Sequence, residues 1–210
     1  MKSMVQWSLS LAMVFTGCIQ AQKKTDIPAD PAKWKAHEGE AFFNNREIHL
    51  VNKADVALLW IDGMEFSNGV VELDIKGKND NGNSFLGLAF HALNDTIYDA
   101  VYFRPFNFSS EEKKANAIQY IDAPGNEWHI LRKNFPGKYE NAITPVPDPN
   151  NWFHVKYQFD YPVVKVFING SAQPTFEVEQ ISKRTTGKLG LWIDSDDGWF
   201  KNVQVTKTKE

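Results

Sequence analysis

Two-residue alternation is the feature that most constrains this chain. From about residue 45 onward, short segments rich in Val, Ile, Phe, Tyr and Trp are separated by clusters of Gly, Pro, Asn and Asp. A strand turns successive side chains to opposite faces, whereas a helix repeats every 3.6 residues, and no stripe of that longer period appears. The alternation predicts strands at Glu47–Val51, Ala57–Ile61, Glu65–Lys76, Ser84–Ala92, Tyr98–Phe106, Ala117–Asp122, Trp152–Asp160, Val163–Asn169, Thr175–Val178, Lys188–Ile193 and Trp199–Thr206. Tyr161-Pro162, Asn169-Gly170 and Asp196-Asp197-Gly198 supply turn chemistry between them. So many short strands in one chain of 210 residues predict an all-β fold, a two-sheet antiparallel sandwich with a single core.

The N-terminus reads differently. Residues 1–21 carry Lys2, an apolar stretch from Trp7 to Phe15 and then small or polar residues, the layout of a secretory signal peptide. Phe15-Thr16-Gly17-Cys18 resembles a bacterial lipobox, which would leave a lipid anchor on Cys18; cleavage after Ala21 competes with it. The expectation is an exported protein, either periplasmic, secreted or an outer-membrane lipoprotein. The apolar run is too short for a transmembrane helix, which needs about 20 residues. Residues 22–36 are polar with mixed charge and read as a tether, leaving 37–210 as the sandwich. Cys18 is the lone cysteine, so the mature fold has no internal disulfide.

Charge and motifs narrow the function classes. A formal charge of −3 provides no field for nucleic acid or anionic lipid. No His or Cys cluster has zinc spacing, and neither a Gly-rich phosphate loop nor a Gly-x-Ser-x-Gly elbow is present. The seven Trp exceed what one such core needs, which points to ligand contact.

Strand parity then separates core from surface. In Val70 to Lys76, Val71, Leu73 and Ile75 enter the core, while Glu72, Asp74 and Lys76 share the opposite face. These carboxylates can bind sugar hydroxyls or transfer protons, or they form a solvated face with an ion pair worth under about 1 kcal/mol. The same parity turns His91 away from Leu86, Leu88 and Phe90. It sets Tyr98, Tyr102 and Arg104 against Val101 and Phe103, and His154, Lys156 and Gln158 against Phe153, Val155 and Tyr157. Such a surface recognises polyhydroxylated ligands by hydrogen bonding and stacking. Candidate catalytic residues are Glu72, Asp74 and His91.

Asp122 to Asn151 spans thirty residues with five Pro and little periodicity, long for a passive connection. It carries Trp128, His129, Arg132, Tyr139 and Glu140, two clusters each preceded by Pro-Gly. The loop is expected to roof a sheet and contribute Trp128, Arg132 and Glu140 to a ligand site with Tyr102 and Arg104, or else to plug an edge. Asp194-Ser195-Asp196-Asp197-Gly198 is an Asp-rich turn, or a structural Ca²⁺ site through Asp194 and Asp196. No other cofactor is expected.

Gly187-Lys188-Leu189-Gly190-Leu191-Trp192 followed by Gly198-Trp199-Phe200-Lys201-Asn202-Val203-Gln204-Val205 resembles the closing strands of concanavalin A-like lectin/glucanase domains. Strands at Phe66–Lys76, Asn83–His91, Ala100–Phe106, Trp152–Gln158 and Val164–Gly170 fall in the order of that superfamily, including its laminin-G-like and 3-keto-disaccharide-hydrolase-like bacterial members. The resemblance covers roughly residues 40–207 and implies a curved jelly roll with a ligand groove on its concave sheet. Family-16 glycoside hydrolases of this superfamily place Glu-x-Asp-x-Glu or Glu-x-Asp-x-x-Glu on one strand. Glu72 and Asp74 match the first two positions, but Lys76 and Gly77 replace the acid/base, so the resemblance does not carry that two-carboxylate mechanism here. Two functions stay open: an exported glycoside hydrolase using Glu72 or Asp74 with His91, Arg104 and Glu140, or a non-catalytic glycan-binding or surface interaction module. Either takes an oligosaccharide or polysaccharide as partner.

Overall fold

The structure is a computed structural model that describes residues 23–44, 46–194 and 196–208. The leader and Cys18 lie outside the described residues. Fifteen strands form among those described: β1 (Lys24–Asp26), β2 (Trp34–His37), β3 (Gly39–Asn44), β4 (Glu47–Asn52), β5 (Ala57–Phe66), β6 (Gly69–Lys76), β7 (Leu86–Ala92), β8 (Tyr98–Phe103), β9 (Ile118–Ala123), β10 (Glu140–Asn141), β11 (Phe153–Asp160), β12 (Val163–Ile168), β13 (Phe176–Glu179), β14 (Gly187–Ile193) and β15 (Asp197–Lys207). One short helix, α1 (Trp128–Asn134), interrupts the long loop.

The strands build two antiparallel sheets. The first runs β13-β12-β11-β6-β15-β4-β3, with β1 also paired to β15, and the second runs β10-β9-β8-β7-β14-β5-β2. One apolar layer lies between them: Leu73 and Val155 from the first sheet meet Leu88, Val101 and Leu191 from the second, all essentially without solvent contact. Burial alternates along β6 and β11 of the first sheet, whereas β7 and β8 of the second are buried on both faces. The chain crosses between sheets after β14, so the two C-terminal strands sit in different sheets.

Every segment expected as a strand contains one. The segment read as a tether is instead integrated: β1 pairs with β15 from Lys24↔Thr206 to Asp26↔Gln204, and β2 pairs with β5, burying Trp34. Its polar composition hid this, because edge strands need only one apolar anchor. The polar segment 109–116 ends in a 3₁₀ turn at Lys114–Asn116.

The second sheet carries an additional apolar layer on its outer face. Leu58, Trp60, Ala89, Tyr98, Ala100, Tyr102, Ile121 and Trp192 pack there as a separate buried cluster. Trp192, Gly87 and Tyr102 are direct neighbours across β14, β7 and β8. With no side chain at Gly87, the two rings stack at 4.5 Å. A Cβ there would come within 2.2 Å of the Val101 carbonyl oxygen.

Candidate functional site

The candidate site lies where this aromatic layer meets the long loop. Tyr102 and Arg104 leave β8 on its outer side, the parity opposite to Val101 and Phe103. Arg104 is 5 % exposed. Its guanidinium donates to the Tyr102 hydroxyl at 2.7 Å and to the Asn116 carbonyl at 3.0 Å, and it lies 4.9 Å from the Tyr102 ring centre and 5.7 Å from that of Phe85.

The loop closes over this corner. α1 follows Glu127 and presents Trp128, 43 % exposed, with its ring 5.9 Å from the Arg104 guanidinium and 5.0 Å from that of Arg132. Arg132 is held in turn by Glu140 on β10, through Nε to both carboxylate oxygens and Nη2 to Oε2 at 2.6 Å. A cavity of about 280 Å³ remains, lined by Tyr102, Arg104, Phe106, Trp128, Arg132 and Asp194.

The electrostatics of the cavity are uneven. Glu140 neutralises Arg132, but among the described residues no carboxylate lies within 4.0 Å of Arg104. Burial pulls the Arg104 pKa down, although guanidinium basicity leaves it charged. Burial likewise raises the phenol of Tyr102, which remains protonated and can orient Arg104. Asp194 stands at the solvent-exposed mouth. Neighbouring atoms displace water from its carboxyl and push it above the usual carboxylate range; Asp55 adds to this and Arg104 opposes it.

The structure thus brings together Tyr102, Arg104, Trp128, Arg132 and Glu140, and separates them from the expected catalytic residues. Glu72 and Asp74 occupy the outer face of the first sheet, on the far side of the core. There His154 Nδ1 lies 2.8 Å from Asp74 and its Nε2 lies 3.5 Å from Glu72, while Lys24 donates to Glu72 and Asn202 to Asp74. The Lys24 ammonium and His154 hold the Glu72 carboxyl below its ordinary range against the opposing effect of burial. Internal pairing with Lys24, His154 and Asn202 occupies these carboxylates.

His91 is in neither place. β7 sets two residues, Phe90 and His91, against Leu189 alone on β14, and His91 takes φ of 48°. This bulge breaks the two-residue parity and turns the imidazole inward, against Phe66, Phe90 and Phe159. Nε2 donates to the Ser67 carbonyl at 2.8 Å, because Gln180 Nε2 donates to Nδ1 at 3.1 Å. Burial lowers its pKa, and Ser67 opposes the shift. The imidazole is enclosed in the core, away from both the Arg104 cavity and the Glu72 face.

For the expected metal turn, no group of three His, Cys, Asp or Glu side chains converges among the described residues. Asp197 pairs with Lys78 at 2.5 Å and His49 at 3.1 Å, and Asp194 faces the Arg104 cavity. Sequence reasoning missed Phe85 and Phe106 as lining residues. Parity on β7 places Phe85 outside with Gly87 and Ala89, so the signal for Phe85 was present.

The two antiparallel sheets packed face to face form a lectin-like sandwich fold. Residues 28–206 match the 3-keto-alpha-glucoside-1,2-lyase-like domain, and the chain belongs to that family. Among solved structures it is similar to a protein of unknown function with a galectin-like fold from Bacillus subtilis, at 15 % identity and TM-score 0.61, covering 87 % of this chain and 94 % of that one. The carbohydrate-binding module CBM66 from Bacillus subtilis aligns at 15 % identity and TM-score 0.60, covering 83 % and 96 %. The VIP36 exoplasmic/lumenal domain, in its Ca²⁺/Man3GlcNAc-bound form, aligns at 11 % identity and TM-score 0.61, covering 91 % and 92 %. No curated protein matches the sequence.

Proposed function

We propose that this chain is an exported carbohydrate-active enzyme that binds a 3-keto glycoside in the Arg104 cavity and breaks its glycosidic bond by elimination. The observation that carries the reading is the buried guanidinium of Arg104, which donates to Tyr102 and Asn116 but has no carboxylate within 4.0 Å among the described residues. A buried cation without a direct carboxylate partner is costly, and it is useful where negative charge develops during a reaction. Removal of the proton at C2, next to a C3 ketone, places that charge on the ketone oxygen, where Arg104 can donate. Asp194, which lines the mouth of the cavity, takes the C2 proton. The electron pair of the C2–H bond forms the enolate, whose collapse re-forms the C3 ketone, makes the C1–C2 double bond and expels the C1 oxygen, which leaves with the proton that Asp194 had taken. Trp128 and Phe85 supply apolar surface for the sugar ring, and the Glu140 carboxylate fixes Arg132 beneath Trp128. The family description supports a keto-sugar substrate, and the leader of residues 1–21 supports export.

The test uses methyl 3-keto-α-glucopyranoside, whose elimination gives methanol and an ultraviolet-absorbing enone. Wild type should release both. Arg104→Met should lose about 10²–10³-fold in kcat, the range for removing one donor to a developing oxyanion. Asp194→Asn should retain binding and lose turnover. Wild-type turnover in both variants overturns the reading, as does an absence of binding and turnover in wild type. Saturable binding without turnover assigns the cavity to a glycan-binding module instead.

A further inference from the structure

A cavity larger than the Arg104 one lies elsewhere on the same outer face. About 680 Å³ in volume, it is walled by β2, β5 and the end of β7, with Lys35, Trp60, Asp62, Met64, Leu93 and Asp95 around it. That size falls within the roughly 300–1,000 Å³ of small-molecule sites. It opens because β14 loses register with both neighbours at one point. Between Lys188 and Gly190, the single residue Leu189 faces four residues of β5 (Ile61 to Met64) and two of β7. β5 turns outward at Gly63, whose φ is 67°. Such irregularities re-aim side chains and gather next to functional sites.

The groups around the opening form paired charges. Asp95 accepts from the Trp60 indole at 2.7 Å and from Lys188 at 3.4 Å, and His37 Nδ1 lies 3.4 Å from its other oxygen. Burial tends to raise this carboxyl, yet the indole N–H, Lys188 and His37 outweigh it and hold it low. Lys35 pairs with Asp62 at 2.8 Å, and Thr186 donates to Glu65 at 3.2 Å. Each ionised carboxylate retains lone pairs beyond those used. Leu93, 62 % exposed, and Met64 add an apolar edge.

We infer that this cavity is a second ligand site and takes a neutral saccharide. Two ammonium groups, Lys35 and Lys188, face three carboxylates, Asp62, Glu65 and Asp95, so an anionic ligand meets net repulsion. Alternating carboxylates and ammoniums match adjacent hydroxyls, which donate to one and accept from the other. The C–H face of the sugar rests on Leu93 and Met64. Unlike the Arg104 cavity, this one holds no unpaired buried charge, so its chemistry is binding. Three strand spacings and four residues along β8 separate Trp60 from Arg104 by about 20 Å. The buried ring of Trp192 lies on the face between them. The two sites are therefore independent, and this inference does not rest on the elimination reading.

The test is ¹H–¹⁵N NMR on the chain with maltose, sucrose, lactose and cellobiose as neutral probes and glucuronate as the anionic one, reading the Trp60 indole N–H. At least one neutral disaccharide should shift that resonance saturably, with Kd of order 1 mM, and glucuronate should not. Leu93→Asp, at an exposed rim position, should weaken the response at least tenfold, and so should Asp95→Asn. Arg104→Met should leave the Trp60 response unchanged even where it abolishes turnover, which separates failure of the two proposals. No saturable shift with any neutral probe overturns the inference. An undiminished response in a folded Leu93→Asp variant, or a Trp60 response lost with Arg104→Met, overturns it too.

Discussion

Replacing Arg184 by Met tests how the crossover between the sheets is held. Residues 180–184 leave β13 for β14 and dock against β8 and β9 through polar contacts. Asp99, fully buried on β8, accepts from Ser182 at 2.6 Å, from the Tyr120 hydroxyl and from Arg184 at 2.8 Å. Arg184 also reaches Asp122 at 2.6 Å. Burial raises the Asp99 pKa, and the help of Ser182, Tyr120 and Arg184 does not fully offset it, while Asp122 adds repulsion. Removing one member of a buried ionic group costs about 3–5 kcal/mol. For a domain of this size that lowers Tm by roughly 6–20 °C, at about 2–4 °C per kcal/mol. The pH dependence has a definite sign. A carboxyl with a raised folded-state pKa contributes stability that is present below its unfolded pKa and lost as pH rises through the folded one. Without Arg184 the folded pKa climbs further, so the deficit of the variant is larger at pH 8 than at pH 5. Urea unfolding at both pH values measures this. A loss below about 1 kcal/mol, or one independent of pH, refutes the reasoning.

Leu73→Ala should destabilise by about 2–5 kcal/mol, because its side chain is enclosed between the sheets. Asp74→Asn on the opposite parity should cost under about 1 kcal/mol; equal losses in urea unfolding contradict the register. His91→Gln should flatten the acid limb of the stability profile. The folded pKa of His91 is depressed, so its stability contribution is present above the unfolded pKa of about 6.5 and is lost as pH falls; an unchanged slope between pH 7 and 5 refutes this. Gly87→Ala should destabilise by at least about 1 kcal/mol and change near-ultraviolet circular dichroism from Tyr102 and Trp192, since the new methyl meets β8 backbone. A wild-type spectrum and stability would be the contrary result.

Alternation and short apolar runs made the sheets legible, because both are local properties: β6 and β11 display period two, and β5 opens as a continuous apolar run. Alternation failed where geometry is not local. The His91 bulge depends on how β7 registers against β14, so counting along β7 alone sends the ring to the wrong side. Which sheet a strand joins was also invisible. Glu72 and Arg104 both point outward, and only the strand order shows that they point outward from opposite sheets. The residues that wall the Arg104 cavity were legible because Tyr102 and Arg104 share parity on one strand, and a proline-rich loop of unusual length had to cover something.

The aromatic excess now divides by location, and that division separates scaffold from site. Trp199 stands on the first sheet with His49 stacked on it at 4.6 Å and Lys76 4.7 Å from its ring centre. Trp152 lies between Lys76 and Lys201, at 5.2 Å and 4.0 Å. Neighbours already cover both rings, so neither offers a free face for a sugar to stack on. Trp34, Trp60 and Trp192 are buried. Trp128 alone among the described Trp residues stays largely exposed, with the two guanidiniums of Arg104 and Arg132 close to its ring. A ring in that setting is stabilised by cations without being enclosed, which leaves surface for a ligand. On this argument Trp128→Ala should weaken saccharide binding at the Arg104 cavity about tenfold while leaving Tm nearly unchanged, since one stacking contact is worth about 1 kcal/mol. Titration with the keto-glycoside measures it. Unchanged affinity in the variant would mean that the sugar does not stack on Trp128, and a large fall in Tm would mean that the ring belongs to the fold.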